Sequence, residues 1–125
     1  MAYGSDLMSK LINEEVLDIV MPDVKFCGGP TEVIKLFSSI PNPKETISMH
    51  CPSGPISLLT SAHITSVINS NLPLEHAVEE VSWRKDLIYP NEKIINGNIQ
   101  IPSEKGIGAM LNLEMIIKNG KVWEE

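Results

Sequence analysis

The sequence predicts an α/β fold in which short parallel strands alternate with helices, closed off by an antiparallel hairpin. Three observations predict it. Short apolar runs ending near Met21, Met49 and His76 alternate with longer stretches whose apolar residues recur at helical spacing. Strands joined by helices of that length must be parallel, with right-handed crossovers. Near the end, Asn96-Gly97 sits between two β-type runs, the strongest short-range signal of a hairpin with a type I′ turn.

The elements follow in order. Ser5 to Glu15 reads as a helix, with Ser5 as its cap, Asp6 at its positive end, and Leu7, Met8, Leu11 and Ile12 on one face. Leu17 to Met21 is a short apolar run stopped by Pro22, the pattern of a buried strand. Asp23 to Gly29 is the loop at its carboxyl end. Pro30-Thr31-Glu32 opens a second helix with Val33, Ile34, Leu36 and Phe37 on its apolar side. Ser38 to Lys44 carries two prolines and reads as a connection. Glu45 to Met49 is the second strand, ended by His50. Ile56 to Ile68 is a third helix, stopped at Asn69-Ser70-Asn71. Leu72 to His76 is a third strand, with Pro73 near its start, where a sheet tolerates it. Lys93 to Ile101 is the hairpin, Pro102 to Gly108 a loop, and Asn112 to Lys118 a last short helix before Asn119-Gly120.

The totals bound the function. A chain of 125 residues with 42% hydrophobic and 21% charged residues is one domain's worth and can bury a core. A net charge of −6 without a basic stripe argues against nucleic acid or an anionic membrane surface as partner. No apolar run has transmembrane length, and Met1 to Asp6 lacks the basic start and apolar core of a signal peptide, so a cytoplasmic location is expected. Cys27 and Cys51 have neither zinc spacing nor a disulfide framework and are expected to be buried or half-buried free thiols.

The chemistry concentrates at strand ends. Met49-His50-Cys51-Pro52-Ser53-Gly54-Pro55 places a histidine where a strand turns into a helix, and in α/β proteins that rim is where ligands and catalysis are found. Asp23, His50 and Glu75 follow three successive strands at separations of 27 and 25 residues. Parallel strands about 4.8 Å apart bring all three to one rim, within hydrogen-bonding reach. A carboxylate on one imidazole nitrogen fixes the tautomer and raises the basicity of the other, which can then move a proton. A third carboxyl group beyond the histidine, if kept protonated, can donate to an oxyanion. Each residue also has a plainer reading: a structural histidine, a loop-capping aspartate, a solvated rim glutamate.

Met21-Pro22-Asp23-Val24, Gly28-Gly29 and a helix, the His50-Cys51-Pro52-Ser53-Gly54-Pro55 loop, Leu74-Glu75, Trp83-Arg84-Lys85-Asp86-Leu87 and Gly106-Ile107-Gly108 resemble, in order and spacing, the C-terminal part of the enolase superfamily. The branch they resemble most is the mandelate racemase family, and within it acid-sugar dehydratases of galactonate type. The resemblance runs from about Asp6 to Asn112. It implies a partial (β/α) barrel whose strands match the sixth to eighth strands. Residues 1–88 form the barrel part, and 89–125 the hairpin and tail that pack on a capping domain in the family. It implies that Asp23 and His50 are the dyad moving a proton on a carbon next to a carboxylate, and that Glu75 binds the substrate carboxylate. In such enzymes Mg²⁺ stabilises the enediolate, and a dehydratase then expels a β-hydroxyl.

The departures are as informative. The capping domain, the first five strands and the three carboxylate metal ligands have no counterpart in the sequence. Glu14 and Glu15 lie on a helix and cannot replace ligands that hard Mg²⁺ needs clustered, so no metal ligand is assigned and no tight Mg²⁺ binding is expected. Pro30 follows the glycine pair where an aliphatic residue is usual, and Lys105 precedes Gly106 where proline is usual. The expectation is therefore half of a catalytic apparatus: the C-terminal portion of an acid-sugar dehydratase, inactive alone. Its open edges call for a homo-oligomer or a complementary N-terminal chain. The alternatives are one half of a split enzyme, or a non-catalytic remnant or interaction domain that self-associates.

Overall fold

A computed structural model describes residues 4–121. Helix α1 (Ser5–Asn13) buries Met8 and Ile12 against α2 (Pro30–Ser39), which turns Val33 and Leu36 inward. A short helix α3 (Pro43–Thr46) precedes α4 (Pro55–Ile68), which packs on α2 and buries Leu58, Leu59, Ala62, Ile64 and Ile68. Both α2 and α4 begin with proline at the first helical position, where its missing N–H costs nothing. Helix α4 ends where expected, because Asn69 takes the left-handed conformation that stops a helix. Ser5 does not cap α1. Gly4 occupies the cap, and the Ser5 hydroxyl donates instead to Glu32 Oε2 at 2.9 Å, joining α1 to α2.

The three expected strands are present as extended, parallel segments with sparse ladders. Val20 pairs with Ile47. Its N–H donates to the Thr46 carbonyl at 2.9 Å, and its carbonyl accepts from Ser48 N–H at 3.2 Å. The pairing continues where His50 N–H donates to the Pro22 carbonyl at 3.1 Å. It cannot close a second bridge, because Pro22 has no N–H to return. The third segment lies beyond the second, with Asn71 N–H on the Lys44 carbonyl and Glu75 N–H on the Met49 carbonyl. Here Pro73 again removes a ladder donor, and the Ile47 carbonyl accepts from Ser70 Oγ at 2.8 Å. Two prolines thus reduce the predicted strands Leu17–Met21, Glu45–Met49 and Leu72–His76 to one bridge and a few bonds. The second strand also starts later than expected. Asn42 in the left-handed region and Pro43 at a helix start fold Glu45 and Thr46 into α3, inside what reads from sequence as connection and strand.

Alternation along these segments sorts their side chains. Val20, Pro22, Ile47, Met49 and Cys51 are buried on the side covered by helices; with Met8, Ile12, Val33, Leu36, Ile40, Ile64 and Ile68 most of them form the core. Ile19 and Met21 point the other way and are exposed. The fold is α/β, with helices on one face of an open sheet and no closed barrel among the described residues.

The C-terminal part makes two small antiparallel pairs. Strand β1 (Ile88–Tyr89) pairs with β4 (Met110–Leu111), and β2 (Lys93–Ile95) with β3 (Asn98–Gln100). Asn96 and Gly97 have φ of 51° and 75°, the two left-handed residues of the expected type I′ turn. Helix α5 (Leu113–Asn119) starts one residue later than expected, because Asn112 caps it, accepting from Met115 N–H at 3.4 Å.

Candidate functional site

The loop after Pro22 is built around Asp23, which is 5% exposed. Its carbonyl accepts from the N–H groups of Phe26 and Cys27, and its Oδ1 accepts from Lys25 N–H at 2.8 Å. This turn holds the second carboxylate oxygen, Oδ2, towards the next segment, 3.0 Å from His50 Nδ1. Gly28 completes the turn at a φ of 101°, where a Cβ would meet Glu32 Cγ at 2.7 Å, so α2 approaches closely only over glycine.

His50 comes to the site because pairing with Pro22 fixes its backbone, and the strand period turns its side chain opposite to buried Met49 and Cys51. Its other nitrogen, Nε2, lies 3.6 Å from Glu75 Oε2, beyond hydrogen-bonding distance. Glu75 is positioned independently of the imidazole, because the same oxygen accepts Cys51 N–H at 3.0 Å. The structure therefore brings the three sequence-predicted residues together in the order Asp23, His50, Glu75. With Asp23 ionised, Nδ1 carries the proton and Nε2 is left as the exchangeable position, facing a second carboxylate. That arrangement leaves Nε2 free to accept a proton on the side of the ring that Glu75 faces.

Residues without a predicted role complete the surroundings. Lys25 Nζ lies 3.9 Å from Asp23 Oδ2, hydrogen-bonds Ser53 Oγ, and sits 4.8 Å from the Phe26 ring centroid. Arg84 donates from Nη1 to the Ser53 carbonyl at 3.0 Å and from Nε to Glu92 Oε1 at 2.7 Å, and also pairs with Glu80. Two cations from distant parts of the chain thus converge on one residue of the histidine loop. Arg84 was visible in the sequence only as part of a motif, and Lys25 only as a cation two residues past Asp23. Neither position shows its partner without the fold. Cys27 and Cys51 are buried free thiols, and burial pushes both thiol pKa values up.

Beside Asp23 and His50 opens a groove of about 350 Å³, walled by Met8, Leu11, Leu17, Ile19, Met21 and Phe26. Among the described residues no three His, Cys, Asp or Glu side chains converge as a metal-binding set. The Mg²⁺ implied by the family resemblance therefore has no ligand set within them, and the two carboxylates of the site are occupied with an imidazole and backbone N–H groups. No described helix is long and apolar enough to cross a membrane.

Comparison with known proteins places the chain in a family. The chain is 30% identical over 106 residues to a D-xylonate dehydratase of Haloferax volcanii, covering 85% of this chain and 26% of that protein. It is 27% identical over 112 residues to a D-galactonate dehydratase of Pectobacterium atrosepticum, covering 84% and 29%. In fold it is similar to a member of the enolase superfamily from Polaromonas sp. JS666, with a TM-score of 0.82 at 18% identity over 96% of this chain and 32% of that one. It is likewise similar to the 3,6-anhydro-D-galactonate cycloisomerase from Zobellia galactanivorans, with a TM-score of 0.77 at 24% identity over 93% and 33%. The chain thus spans only about a quarter to a third of the length of these relatives. Residues 1–115 match the family model for the enolase C-terminal domain-like proteins, and the chain belongs to that family.

Proposed function

We propose that this chain is the C-terminal portion of a mandelate racemase/muconate lactonizing-type acid-sugar dehydratase, with His50 as the proton-transfer residue, Asp23 as its partner and Glu75 as a contact for the substrate carboxylate. The observation that carries the reading is the imidazole held between Asp23 Oδ2 and Glu75 Oε2 at the carboxyl end of three parallel segments. In this reading the segments are the sixth to eighth strands of a (β/α) barrel, residues 1–88 being the barrel part and 89–125 the hairpin and tail. His50 Nε2 takes the proton from the carbon next to the substrate carboxylate. Asp23 stabilises the imidazolium so formed and keeps the ring oriented. Glu75, fixed by Cys51 N–H, meets the carboxylate end of the acid sugar.

The chain alone is inactive in this proposal. The groove beside the dyad is walled by apolar side chains, which suit a packed interface better than a polyhydroxylated acid. Ile19 and Met21 lie exposed along the outer segment, whose backbone is paired on one side only among the described residues. A complementary N-terminal chain, or a second copy, covers that face and completes the site. The test is a dehydratase assay with aldonates and Mg²⁺, run on the chain alone and after co-expression with the N-terminal two-thirds of a dehydratase relative. Turnover only in the pair, abolished by His50→Asn, is expected. Turnover by the isolated chain overturns the inactivity, and turnover in the His50→Asn pair overturns the dyad.

A second reading, a non-catalytic domain that self-associates, is favoured by the same open apolar face. It predicts a defined dimer by sedimentation and full biological function after His50→Ala.

A further inference from the structure

We propose that Arg84 is a positioning residue of this site: by holding the Ser53 carbonyl it pins the histidine loop, so that Cys51 N–H keeps the Glu75 carboxylate facing His50. The inference rests on the dehydratase reading and adds to it the residue that keeps Glu75 in place before a substrate arrives.

The run Cys51-Pro52-Ser53-Gly54-Pro55 has too few donors to hold its own shape. Pro52 and Pro55 have no N–H. Among the described residues the N–H groups of Ser53 and Gly54 find no backbone acceptor. The loop is fixed at its ends, where His50 N–H meets the Pro22 carbonyl and the Gly54 carbonyl accepts from Leu58 N–H of α4. Between them, apart from the contact of Cys51 with Glu75, the support comes to Ser53. Lys25 meets its hydroxyl, which can rotate, and the lysine side chain is 38% exposed. Arg84 meets its carbonyl, which is part of the backbone, at 3.0 Å.

The guanidinium itself has little freedom. Its side chain is 12% exposed, Nε donates to Glu92 Oε1 at 2.7 Å, and Nη1 is shared between the Ser53 carbonyl and Glu80. A planar fork already held by two carboxylates loses little further entropy in holding a third acceptor. Its charge also reaches the loop: burial raises the Cys51 thiol pKa, while Ser53 N–H and the Arg84 charge pull the other way. From Ser53 the chain runs back two residues to Cys51, whose N–H donates to Glu75 Oε2 at 3.0 Å, the oxygen that lies 3.6 Å from His50 Nε2. Apart from the imidazole, nothing else among the described residues holds that carboxylate. With 39% of its side chain exposed, Glu75 would otherwise turn to water. The placement of this rim carboxylate is thus decided by a loop whose backbone Arg84 pins.

The experiment is NMR of the isotope-labelled 125-residue chain, read at the Cys51 amide. Glu75→Gln replaces a charged acceptor with a neutral one, so in the wild-type background it is expected to move the Cys51 amide proton upfield. In the Arg84→Met and Arg84→Lys backgrounds the same substitution is expected to move it by about half as much or less, because the loop is no longer pinned. Arg84→Lys keeps a cation beside Glu80 and Glu92 but loses the fork that reaches Ser53, and it serves if Arg84→Met does not fold. Glu92→Gln leaves Arg84 on Ser53 and is expected to keep the full response. A role in stability alone would lower the unfolding midpoint of the Arg84 variants and leave their response undiminished; that result overturns the inference. So does a Cys51 amide that ignores Glu75→Gln in the wild-type background. Both results leave the dehydratase reading standing, because that reading is decided by turnover of the co-expressed pair and its loss in His50→Asn. Failure of the pair assay with the NMR response as expected overturns the dehydratase reading and leaves the Arg84 tie to Glu75 standing.

Discussion

Arg84 offers the most direct check on how the tail and the histidine loop are held together. Its guanidinium lies between Glu80, Glu92 and the Ser53 carbonyl, with 12% of the Arg84 and 10% of the Glu92 side chain exposed. Arg84→Met keeps much of the packing volume and removes every charge contact. The Glu92 carboxylate is then enclosed without a partner, and the Ser53 carbonyl loses its donor. Breaking a buried ion pair from one side costs about 3–5 kcal/mol, and a lost hydrogen bond about 1 kcal/mol. Two features reduce the total. Glu80 is nearer to solvent and rehydrates, and the pair is already imperfect, since Arg84 Nη2 and Glu92 Oε2 have no hydrogen-bond partner among the described residues. We expect a loss of about 3 kcal/mol, a large part of the stability of a single domain. Urea unfolding followed by circular dichroism measures it. The double variant Arg84→Met/Glu92→Gln is expected to recover about 1–2 kcal/mol, because the orphaned charge is gone. A loss below about 0.5 kcal/mol, the range of an ordinary surface substitution, refutes the reasoning. So does strict additivity in the cycle. If Arg84→Met does not fold, the comparison is made with Glu92→Gln alone, which leaves the arginine its other two partners and is expected to cost about 1–2 kcal/mol.

Two further outcomes are expected. Gly97→Ala places a Cβ at a φ of 75°, which costs about 1–2 kcal/mol of local hairpin stability; amide exchange at β2 and β3 speeds up several-fold while the core amides of α4 do not change, and uniform loss of protection would contradict the hairpin's independence. Burial raises the pKa values of Cys27 and Cys51, so the folded state holds their protons more tightly than the unfolded state. Their contribution is fully present below the unfolded value of about 8.5 and is lost as pH rises through the higher folded values. Denaturation midpoints should fall above about pH 9, and the fall should disappear in Cys27→Ala/Cys51→Ala; thiol labelling of the folded chain as fast as in urea would show the burial to be wrong.

Most of the helices, and the grouping of the candidate site residues, were legible in the sequence because helical spacing and the strand–helix rhythm can be read along the chain. Met8 and Ile12, Val33 and Leu36, and Leu58, Leu59 and Ala62 repeat at helical spacing, and prolines mark two helix starts. The strand–helix rhythm was enough to bring Asp23, His50 and Glu75 to one rim. Strand extents were less legible. Pro22 and Pro73 interrupt ladders that hydrophobic runs alone make look continuous, and Asn42-Pro43 starts a helix inside a β-type run.

By itself the sequence determined where most helices lie, which residue types stand at the strand ends, and the tight turn at Asn96-Gly97, since these depend on residue identity and spacing along the backbone. Only the tertiary structure decided what those residues meet. Lys25 and Ser53 are 28 residues apart, and Arg84 reaches Ser53 across 31, yet both cations converge on one loop. Glu75 faces the imidazole at 3.6 Å while its oxygen is taken by a backbone N–H. Such pairings follow from how parallel segments are brought side by side by the helices between them, and local spacing carries no record of that.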